Sequence, residues 1–397
     1  MEVREDMKRR SVIGRAAIWA AGVVAATFIG VGCGGDASSN VIRVGVAGPF
    51  TGSAAAFGEQ IRMGADLALT QRNERGGLQG RTIELAYGDD QGRDDQASVV
   101  AAKFANDPDV VAVIGHFNSI CSLAGKPIYA QAQVLQFSPG STNVDVCRGS
   151  DWTFRNLYHD DYQGQSLAAY LHDTLDVGRV AIFYDNDDYG LGLKNSFVAA
   201  AEKLGLAVIG VEAYQREATL DFSAVIDKFD ALRPEMMFIS GLYNEAASIV
   251  KQAREKGIET PFIGGDGAFS PALLDIGGEA VEGMLITTPF IVHPDIGGPA
   301  AQAFRESFHA KYNRNPDTWA ALSYDALNQL FAAIDAVGTD RTEIRDHFAR
   351  TNTPERAYQG VTGATYFDEH GDCLKPAYVA VVQDGEFVPA AKQIETP

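Results

Sequence analysis

The stretch VVAVIGHFNS, residues 110–119, decides the fold class. Its first five residues, Val110–Ile114, are all apolar, and an unbroken run of this length is typical of a strand that is buried on both faces. Such strands belong to parallel sheets that are covered by helices on either side. Polar residues end the strand, and a helix is predicted to begin at Ser119. The sequence therefore favours an α/β fold.

The same alternation of strand and helix patterns extends along the chain. It runs as β-α-β-α-β-α-β over residues 42–137 and restarts over residues 162–263. A helical stretch at 299–337, interrupted near Asn315-Pro316, and strand-like runs between 378 and 388 follow. A chain of 397 residues exceeds the roughly 250–300 that one hydrophobic core supports. We therefore expect two α/β lobes, joined by one chain crossing or by several.

The first 40 residues are typical of an export leader. Residues 1–32 combine a positive segment, Met7-Lys8-Arg9-Arg10, with the uncharged run AAIWAAGVVAATFIGVG, and this predicts a secretory signal peptide. Cys33 and the short polar residues up to 40 resemble the lipidated cysteine and tether of a bacterial lipoprotein. We expect an exported protein, in the periplasm or on the cell surface, that is lipid-anchored through Cys33. Sec and twin-arginine export both stay open.

Composition and motifs exclude several classes of function. The net charge of −19 leaves no surplus of lysine and arginine for nucleic-acid binding. No two histidines have the spacing of three or four that a helical metal site uses. The chain has no phosphate loop, dinucleotide fingerprint or nucleophile elbow. We expect a small-molecule binding protein without enzymatic activity, cofactor or metal; an exported α/β enzyme acting on a small polar substrate is the alternative.

Three cysteines remain when Cys33 is taken as the lipid site. Cys121 and Cys147 each lie just beyond a predicted strand, and consecutive strands of an α/β lobe tend to be neighbours. In an oxidising compartment we expect a disulfide between these two, which leaves Cys373 unpaired. Buried free thiols are the alternative.

The loops after the predicted strands carry the candidate binding chemistry, because ligands of open parallel sheets bind beyond the carboxyl ends of the strands. In the first lobe, Ser119, Ser141 and Thr142 offer hydroxyl groups near free N–H groups, which suit a carboxylate. A helix N-cap is the alternative role for Ser119. In the second lobe, Tyr189 contacts a ligand or covers a helix end. Asp266 binds an ammonium or forms an Asx turn.

These loops lie in stretches that resemble the leucine/isoleucine/valine-binding protein family, the periplasmic substrate-binding proteins of branched-chain amino-acid ABC transporters. The similarity covers nearly all of residues 41–390. The matching stretches are VIRVGVAGPFTGSAAAFGEQ (41–60), GGLQGRTIELAYGDD (76–90), VIGHFNS (113–119), SPGSTN (138–143), DDYQG (160–164), DNDDYG (185–190), EAASIVKQAREKGI (245–258) and IGGDG (263–267).

The resemblance implies a type I periplasmic binding protein, a two-lobed clamshell in which each lobe is a mostly parallel sheet flanked by helices. Three hinge crossings would join lobe 1, residues 41–157 plus 289–376, to lobe 2, residues 158–288 plus 377–397. The protein would be a monomer that delivers an amino acid to a membrane permease.

The resemblance also implies how the amino acid is held. Ser119 and Thr142 would bind the carboxylate. The Gly140 carbonyl, Thr142 and Asp266 would bind the ammonium, and Tyr189 would close over the ligand from the second lobe.

The side-chain pocket departs from that of familiar members of the family. Phe57 and Leu242 make it more apolar, and Asp266 is one methylene shorter than the glutamate of some members. A branched-chain or other apolar amino acid is the expected ligand. An amide, urea or an aromatic carboxylate is the alternative within binding proteins.

Overall fold

The computed structural model describes residues 41–394. The predicted signal peptide, Cys33 and the tether lie outside the described residues. The strands in chain order are β1 (Val41–Gly48), β2 (Thr82–Asp89), β3 (Val110–Ile114), β4 (Leu135–Ser138), β5 (Thr153–Arg155), β6 (Arg179–Asp185), β7 (Ala207–Tyr214), β8 (Met236–Ser240), β9 (Phe262–Gly264), β10 (Leu285–Thr288), β11 (Tyr358–Gly360), β12 (Gly363–Thr365), β13 (Tyr378–Gln383) and β14 (Glu386–Pro389).

Helices connect most of these strands. The α-helices in chain order are α1 (Ala55–Glu74), α2 (Asp94–Ala105), α3 (Ser119–Gln131), α4 (Asp160–Ala169), α5 (Asp188–Leu204), α6 (Ser223–Leu232), α7 (Tyr243–Glu255), α8 (Pro271–Gly277), α9 (Gly298–Tyr312), α10 (Thr318–Val337) and α11 (Arg341–Arg350).

Two open sheets organise the described residues. The first is parallel throughout and has the strand order β2-β1-β3-β4-β5. The second has the order β14-β13-β10-β9-β8-β6-β7 and is parallel from β10 to β7, while β13 runs antiparallel to both of its neighbours. β11 and β12 form a separate hairpin. The predicted α/β fold class is confirmed.

The order of the strands along the chain produces three crossings between the sheets. The chain leaves the first sheet after β5 and builds β6 to β10 of the second. It then returns to the first sheet, where α10 packs on α1 and α11 packs on β4. A third crossing adds β13 and β14 to the second sheet. The predicted three crossings are confirmed.

Burial explains the apolar strand runs. β3 and β8 lie inside their sheets and are buried at every residue, as the unbroken run at 110–114 predicts. α1 and α10 approach each other closely at Gly64, where a Cβ would lie 2.1 Å from the carbonyl oxygen of Ala320. A residue with a side chain at this position would push the two helices apart.

Local differences from the predicted elements have simple causes. The long helical stretch is divided into α9 and α10 as predicted, because Asn313 ends α9 in the left-handed region and Asp317 caps α10. The predicted helix at 162–175 becomes α4 followed by a π-helical turn, Tyr170–Thr174. β5 was not predicted, because three residues are too few to form a recognisable pattern.

The predicted disulfide between Cys121 and Cys147 is wrong. Both residues are buried free thiols, as is Cys373. The sulfur of Cys147 accepts a hydrogen bond from Nε of Arg155 at 3.3 Å. Burial raises the pKa of Cys147 to about 12 and that of Cys121 further. Because the thiolate is the species that forms disulfides, burial of both thiols disfavours their oxidation.

Candidate functional site

A small cavity lies where loops that follow strands of both sheets meet. The space between its walls is about 260 Å³, which includes open solvent at its mouth, and the centre of a water-sized molecule can occupy about 20 Å³ of it. A larger groove of about 790 Å³ opens beside α11 and the loop at 367–371, away from these loops. The residues that line the small cavity are Phe117, Asn118, Ser119, Gly140, Tyr189, Leu242, Asp266, Gly267 and Trp319.

Asp266 brings a carboxyl group to the wall of the cavity. It follows β9 in a 3₁₀ turn and is 2% exposed. Tyr189, in the first turn of α5, donates its hydroxyl to Oδ1 of Asp266 at 2.6 Å and accepts the N–H of Gly267 at 2.9 Å. Burial raises the pKa of Asp266 to about 6, although hydrogen bonds from Tyr189 and Gln163 act in the opposite direction. These donors are neutral, so a cationic ligand group can still supply the counter-charge.

Ser119 contributes a hydroxyl from the first sheet. It is the first residue of α3, and its Oγ accepts the N–H of Asn143 at 3.2 Å. The N-cap of this helix is Asn118, whose side chain makes no cap hydrogen bond. The alternative in which Ser119 is the N-cap is therefore wrong. The free N–H groups of the first turn and the Ser119 hydroxyl can receive an anion.

Gly140 brings backbone to the same cavity. A Cβ at this position would lie 2.2 Å from a ring atom of Phe117. Only glycine lets the loop after β4 pass this close to the Phe117 ring, so the peptide groups of Gly140 form part of the wall.

Ser141 and Thr142 follow Gly140 but do not line the cavity. The Ser141 hydroxyl donates to the carbonyl of Phe117 at 2.8 Å and lies 2.7 Å from the Ser122 hydroxyl, so it ties two loops together. Thr142 is fully buried, and its hydroxyl makes only a weak hydrogen bond, to the carboxyl group of Asp160. The hydroxyl oxygen can still accept a hydrogen bond, so Thr142 retains hydrogen-bonding capacity close to Gly140.

Asp160 is a second buried carboxyl group in this region, and the sequence analysis did not select it. Within the described part of the chain, its carboxyl group makes only a weak hydrogen bond, with the Thr142 side chain. Burial raises the pKa of Asp160 well above its ordinary value; the hydrogen bond with Thr142 acts in the opposite direction, and the charge of Asp266 raises the pKa further. Asp266 and Asp160 are thus two interacting buried carboxyl groups, of which only Asp266 lines the cavity.

Aromatic rings form the apolar wall. Trp319, in the first turn of α10, meets Phe117 edge to face with ring centroids 4.8 Å apart. Its Nε1 donates to the carbonyl of Phe269 at 2.8 Å, so the polar atom of the indole is satisfied. Phe57 stacks on Phe117 at 4.5 Å and is completely buried, but it does not reach the cavity.

Leu242 adds an aliphatic surface from the second sheet. It precedes α7 and is 4% exposed. The two residues that follow connect the sheets, because the Tyr243 hydroxyl and Nδ2 of Asn244 donate to the carbonyl of Ser53 at 2.6 and 2.7 Å. The loops after β1 and β8 are therefore held together beside the cavity.

Comparison with known proteins identifies the family. The sequence profile of a family described as periplasmic binding protein matches residues 41–386. The chain belongs to the periplasmic binding protein family. These are extracytoplasmic substrate-binding proteins, and the chain shares that role.

Relatives of this periplasmic binding protein are similar over nearly their whole length. Leu/Ile/Val-binding protein homolog 2 of Brucella abortus (strain 2308) is 36% identical over 350 residues, which cover 87% of this chain and 91% of the relative. The crystal structure of the leucine-binding protein LivK of Thermotoga maritima has a TM-score of 0.81 at 34% identity and covers 88% of this chain and 98% of that one. LivJ of Streptococcus pneumoniae, in complex with isoleucine, has a TM-score of 0.82 at 29% identity, covering 87% and 97%.

The periplasmic binding protein brings together most of the residues that its sequence singles out. Ser119, Gly140, Tyr189, Leu242 and Asp266 lie at one cavity. The other three, Ser141, Thr142 and Phe57, pack outside its lining.

Sequence reasoning missed the two rings of the apolar wall. Phe117 lies between Gly115 and Ser119 in a loop that was already selected, so its position was a usable signal. Trp319 follows Asn315-Pro316-Asp317 at a helix start, and nothing in the sequence linked this segment to the other loops.

Metal-binding clusters and membrane-spanning helices are both absent from the described part of this periplasmic binding protein. Over residues 41–394, no group of three or more His, Cys, Asp or Glu side chains has an arrangement that could hold a metal ion. No helix among these residues combines the length and the apolar character needed to cross a membrane.

Proposed function

We propose that the protein binds a free amino acid with a branched-chain or other apolar side chain in this cavity and delivers it to the permease of an ABC importer. The strongest support is the buried Asp266 carboxyl group, which has only neutral hydrogen-bond donors, in the same cavity as the Ser119 hydroxyl and the start of α3. A zwitterion satisfies both ends. The rings of Phe117 and Trp319 and the side chain of Leu242 suit an apolar side chain.

The ligand carboxylate would accept hydrogen bonds from Ser119 and Thr142. The ammonium would donate to Asp266, to the Gly140 carbonyl and to the buried hydroxyl of Thr142, whose oxygen can still accept a hydrogen bond. Tyr189 would cover the ligand from the second sheet. Ser141 and Phe57 would act indirectly, through the Phe117 carbonyl and the Phe117 ring.

The two sheets would form the lobes of a clamshell, with lobe 1 at residues 41–157 plus 289–376 and lobe 2 at residues 158–288 plus 377–397. Closure of the lobes on the ligand would signal occupancy to the permease. Two similar structures support this role. LivK is a leucine-binding protein, and LivJ is the substrate-binding protein of a branched-chain amino acid transporter, in complex with isoleucine.

The N-terminal 40 residues would export and anchor the protein. Residues 1–32 would be removed as a signal peptide, and Cys33 would carry the lipid that tethers a monomeric protein to the membrane. The acidic composition suits a soluble exterior.

Calorimetric titration of the purified protein with each of the twenty amino acids tests the proposal. We expect apolar amino acids to bind with micromolar affinity or better, and a ligand that is retained through purification to be identified by mass spectrometry after denaturation. Binding of none of the twenty would contradict the proposal, and turnover of a bound ligand would indicate an enzyme.

Asp266→Ala distinguishes a zwitterion from a ligand without an ammonium. We expect the variant to lose amino-acid binding, because the ammonium would then be buried without a counter-charge. Asp275→Ala is the matched control, since Asp275 lies exposed on α8 and its removal changes the net charge equally. Unchanged affinity in Asp266→Ala would favour an amide, urea or an aromatic carboxylate as the ligand.

A further inference from the structure

Arg155 lies completely buried at the end of β5, where the chain leaves the first sheet. Its guanidinium group donates from Nη1 to the carbonyl of Ser141 and from Nη2 to the carbonyl of Asn143, both at 2.9 Å. The two carbonyls lie on either side of Thr142 in the chain. The guanidinium group is therefore a rigid fork of two donors that binds the carbonyl group on each side of Thr142.

The Thr142 segment is also held from its other side. The carbonyl of Thr142 accepts the N–H of Asp160 at 2.7 Å, and Asp160 is the first residue of α4. The N–H of Asn143 donates to the Ser119 hydroxyl at 3.2 Å. The carbonyl groups of Ser141 and Asn143 are thus directed at Arg155, while the carbonyl group of Thr142 is directed away from it. Together these hydrogen bonds fix the orientation of both peptide groups of Thr142.

The remaining contacts of Arg155 lead to another crossing of the chain. Nε lies 2.6 Å from Oδ1 of the buried Asp372 and directs its N–H to the sulfur of Cys147. The backbone N–H of Arg155 donates to the carbonyl of Gly371 at 3.1 Å. Asp372 belongs to the segment that leads into β13, so Arg155 joins the loop at 141–143 to two of the three crossings.

A fully buried guanidinium group lowers the stability of a protein unless its charge is paired and its N–H groups are hydrogen-bonded. Asp372 supplies the charge, and a buried apolar pair would have served stability as well. What an apolar pair could not supply is the fork that fixes two carbonyls at once. Lysine could supply the charge but not the two parallel donors.

We propose that Arg155 is the positioning residue for recognition of the ligand carboxylate: it orients Thr142 against Ser119 from the hinge side of the loop. The inference rests on the proposed function, because it concerns the same cavity. It assigns a role to a residue that never touches the ligand.

The test compares L-leucine with L-leucinol, which has the same side chain and ammonium but a hydroxymethyl group in place of the carboxylate. In Arg155→Lys we expect affinity for leucine to fall on the order of 30-fold, as for loss of a charge-assisted hydrogen bond, while affinity for leucinol changes less than about threefold. Calorimetry gives the leucine constants, and displacement of leucine gives those for leucinol.

Asp372→Asn is the matched control, since it removes the counter-charge but leaves the fork of Arg155 intact. We expect this variant to unfold at a lower temperature and to keep the wild-type preference for leucine over leucinol within about threefold, because both carbonyl bonds remain. If Arg155→Lys does not fold, the double variant Arg155→Gln with Asp372→Asn removes both charges together and is expected to lose the same preference.

The outcomes separate this inference from the proposed function. Equal losses for leucine and leucinol in Arg155→Lys, or in the double variant that replaces it, would show a merely structural role and overturn the inference. Loss of the preference for leucine over leucinol in Asp372→Asn as well would also overturn the inference. A wild-type protein that binds neither leucine nor any other amino acid would overturn the proposed function, and the inference with it.

Discussion

Asp266 owes its chemistry to its neighbours. In a solvated Asx turn its carboxyl group would have an ordinary acidity, but here it is buried against Tyr189 and the Gly267 N–H. Removal from water raises its pKa to about 6. The ionised form, which an ammonium ligand needs, is therefore sensitive to mild acid.

We expect amino-acid affinity to fall by up to about tenfold per pH unit below pH 6, because protonation of Asp266 removes the charge that pairs with the ammonium. The effect on stability without ligand has the opposite sign. A folded pKa near 6, above the usual value of about 3.9, contributes stability that is present below pH 3.9 and is lost as the pH rises through 6.

Calorimetry between pH 5 and pH 8 checks the pH dependence of binding, and urea unfolding over the same range checks that of stability. Asp266→Asn is the control, and we expect its weak affinity to be nearly independent of pH. An affinity in the wild-type protein that stays constant from pH 7 to pH 5 would contradict the assigned role of Asp266.

At the scale of elements, the first turns of helices position side chains that line the cavity. Asp187 caps α5 by accepting the N–H of Gly190, which places Tyr189 at the cavity. Asp317 caps α10 by accepting the N–H groups of Trp319 and Ala320 at 2.9 and 3.0 Å. The same hydrogen bonds that begin a helix therefore set the position of a wall residue.

Asp317→Ala should reduce both stability and ligand affinity. Loss of an N-cap costs about 1 to 2 kcal/mol of unfolding free energy, and the first turn that carries Trp319 would loosen with it. Asp340→Ala is the matched control, because Asp340 caps α11 through the N–H groups of Thr342 and Glu343, away from the cavity. Urea unfolding and calorimetry measure the two effects. Equal affinities in the two variants would separate the cap of α10 from ligand binding.

At the scale of the whole molecule, the two sheets are joined by hydrogen bonds beside the cavity as well as by the crossings. Nδ2 of Asn143 donates to the carbonyl of Asp188 at 2.7 Å, and the Tyr243 hydroxyl donates to that of Ser53 at 2.6 Å. Each bond links a loop of one sheet to a loop or helix start of the other. In the proposed clamshell these contacts would form on closure, so they would stabilise the closed form without contacting the ligand.

Asn143→Ala and Tyr243→Phe should each speed ligand dissociation by about tenfold and change association by less than about threefold, because the lost bond stabilises only the closed form. Stopped-flow measurement of tryptophan fluorescence suits the test, since Trp319 lines the cavity. Asn195→Ala, on the exposed face of α5, is the control. Slower association with unchanged dissociation would place these residues in the binding step before closure.

Position after a strand was enough to select Asp266, Tyr189 and Ser119, because the carboxyl ends of parallel strands bring their loops to one edge. The resemblance to the family added Phe57, which lies behind Phe117. Which face of a helix reaches a cavity depends on how α1 packs, and this is a tertiary property. Ser141 and Thr142 are neighbours with different surroundings, and the hydrogen bonds of Arg155, which the sequence analysis did not consider, orient the segment.

The amino-acid sequence by itself determined the alternation of strands and helices, the parallel sheets and the loops that carry polar groups, because these depend on periodicity and on residues close in the chain. Only the tertiary structure decided that Trp319 completes the apolar wall, that Arg155 brackets Thr142 and that Cys121 and Cys147 stay apart as thiols. Each of these depends on the packing of elements that are distant in sequence, and no local pattern records which distant surfaces will meet.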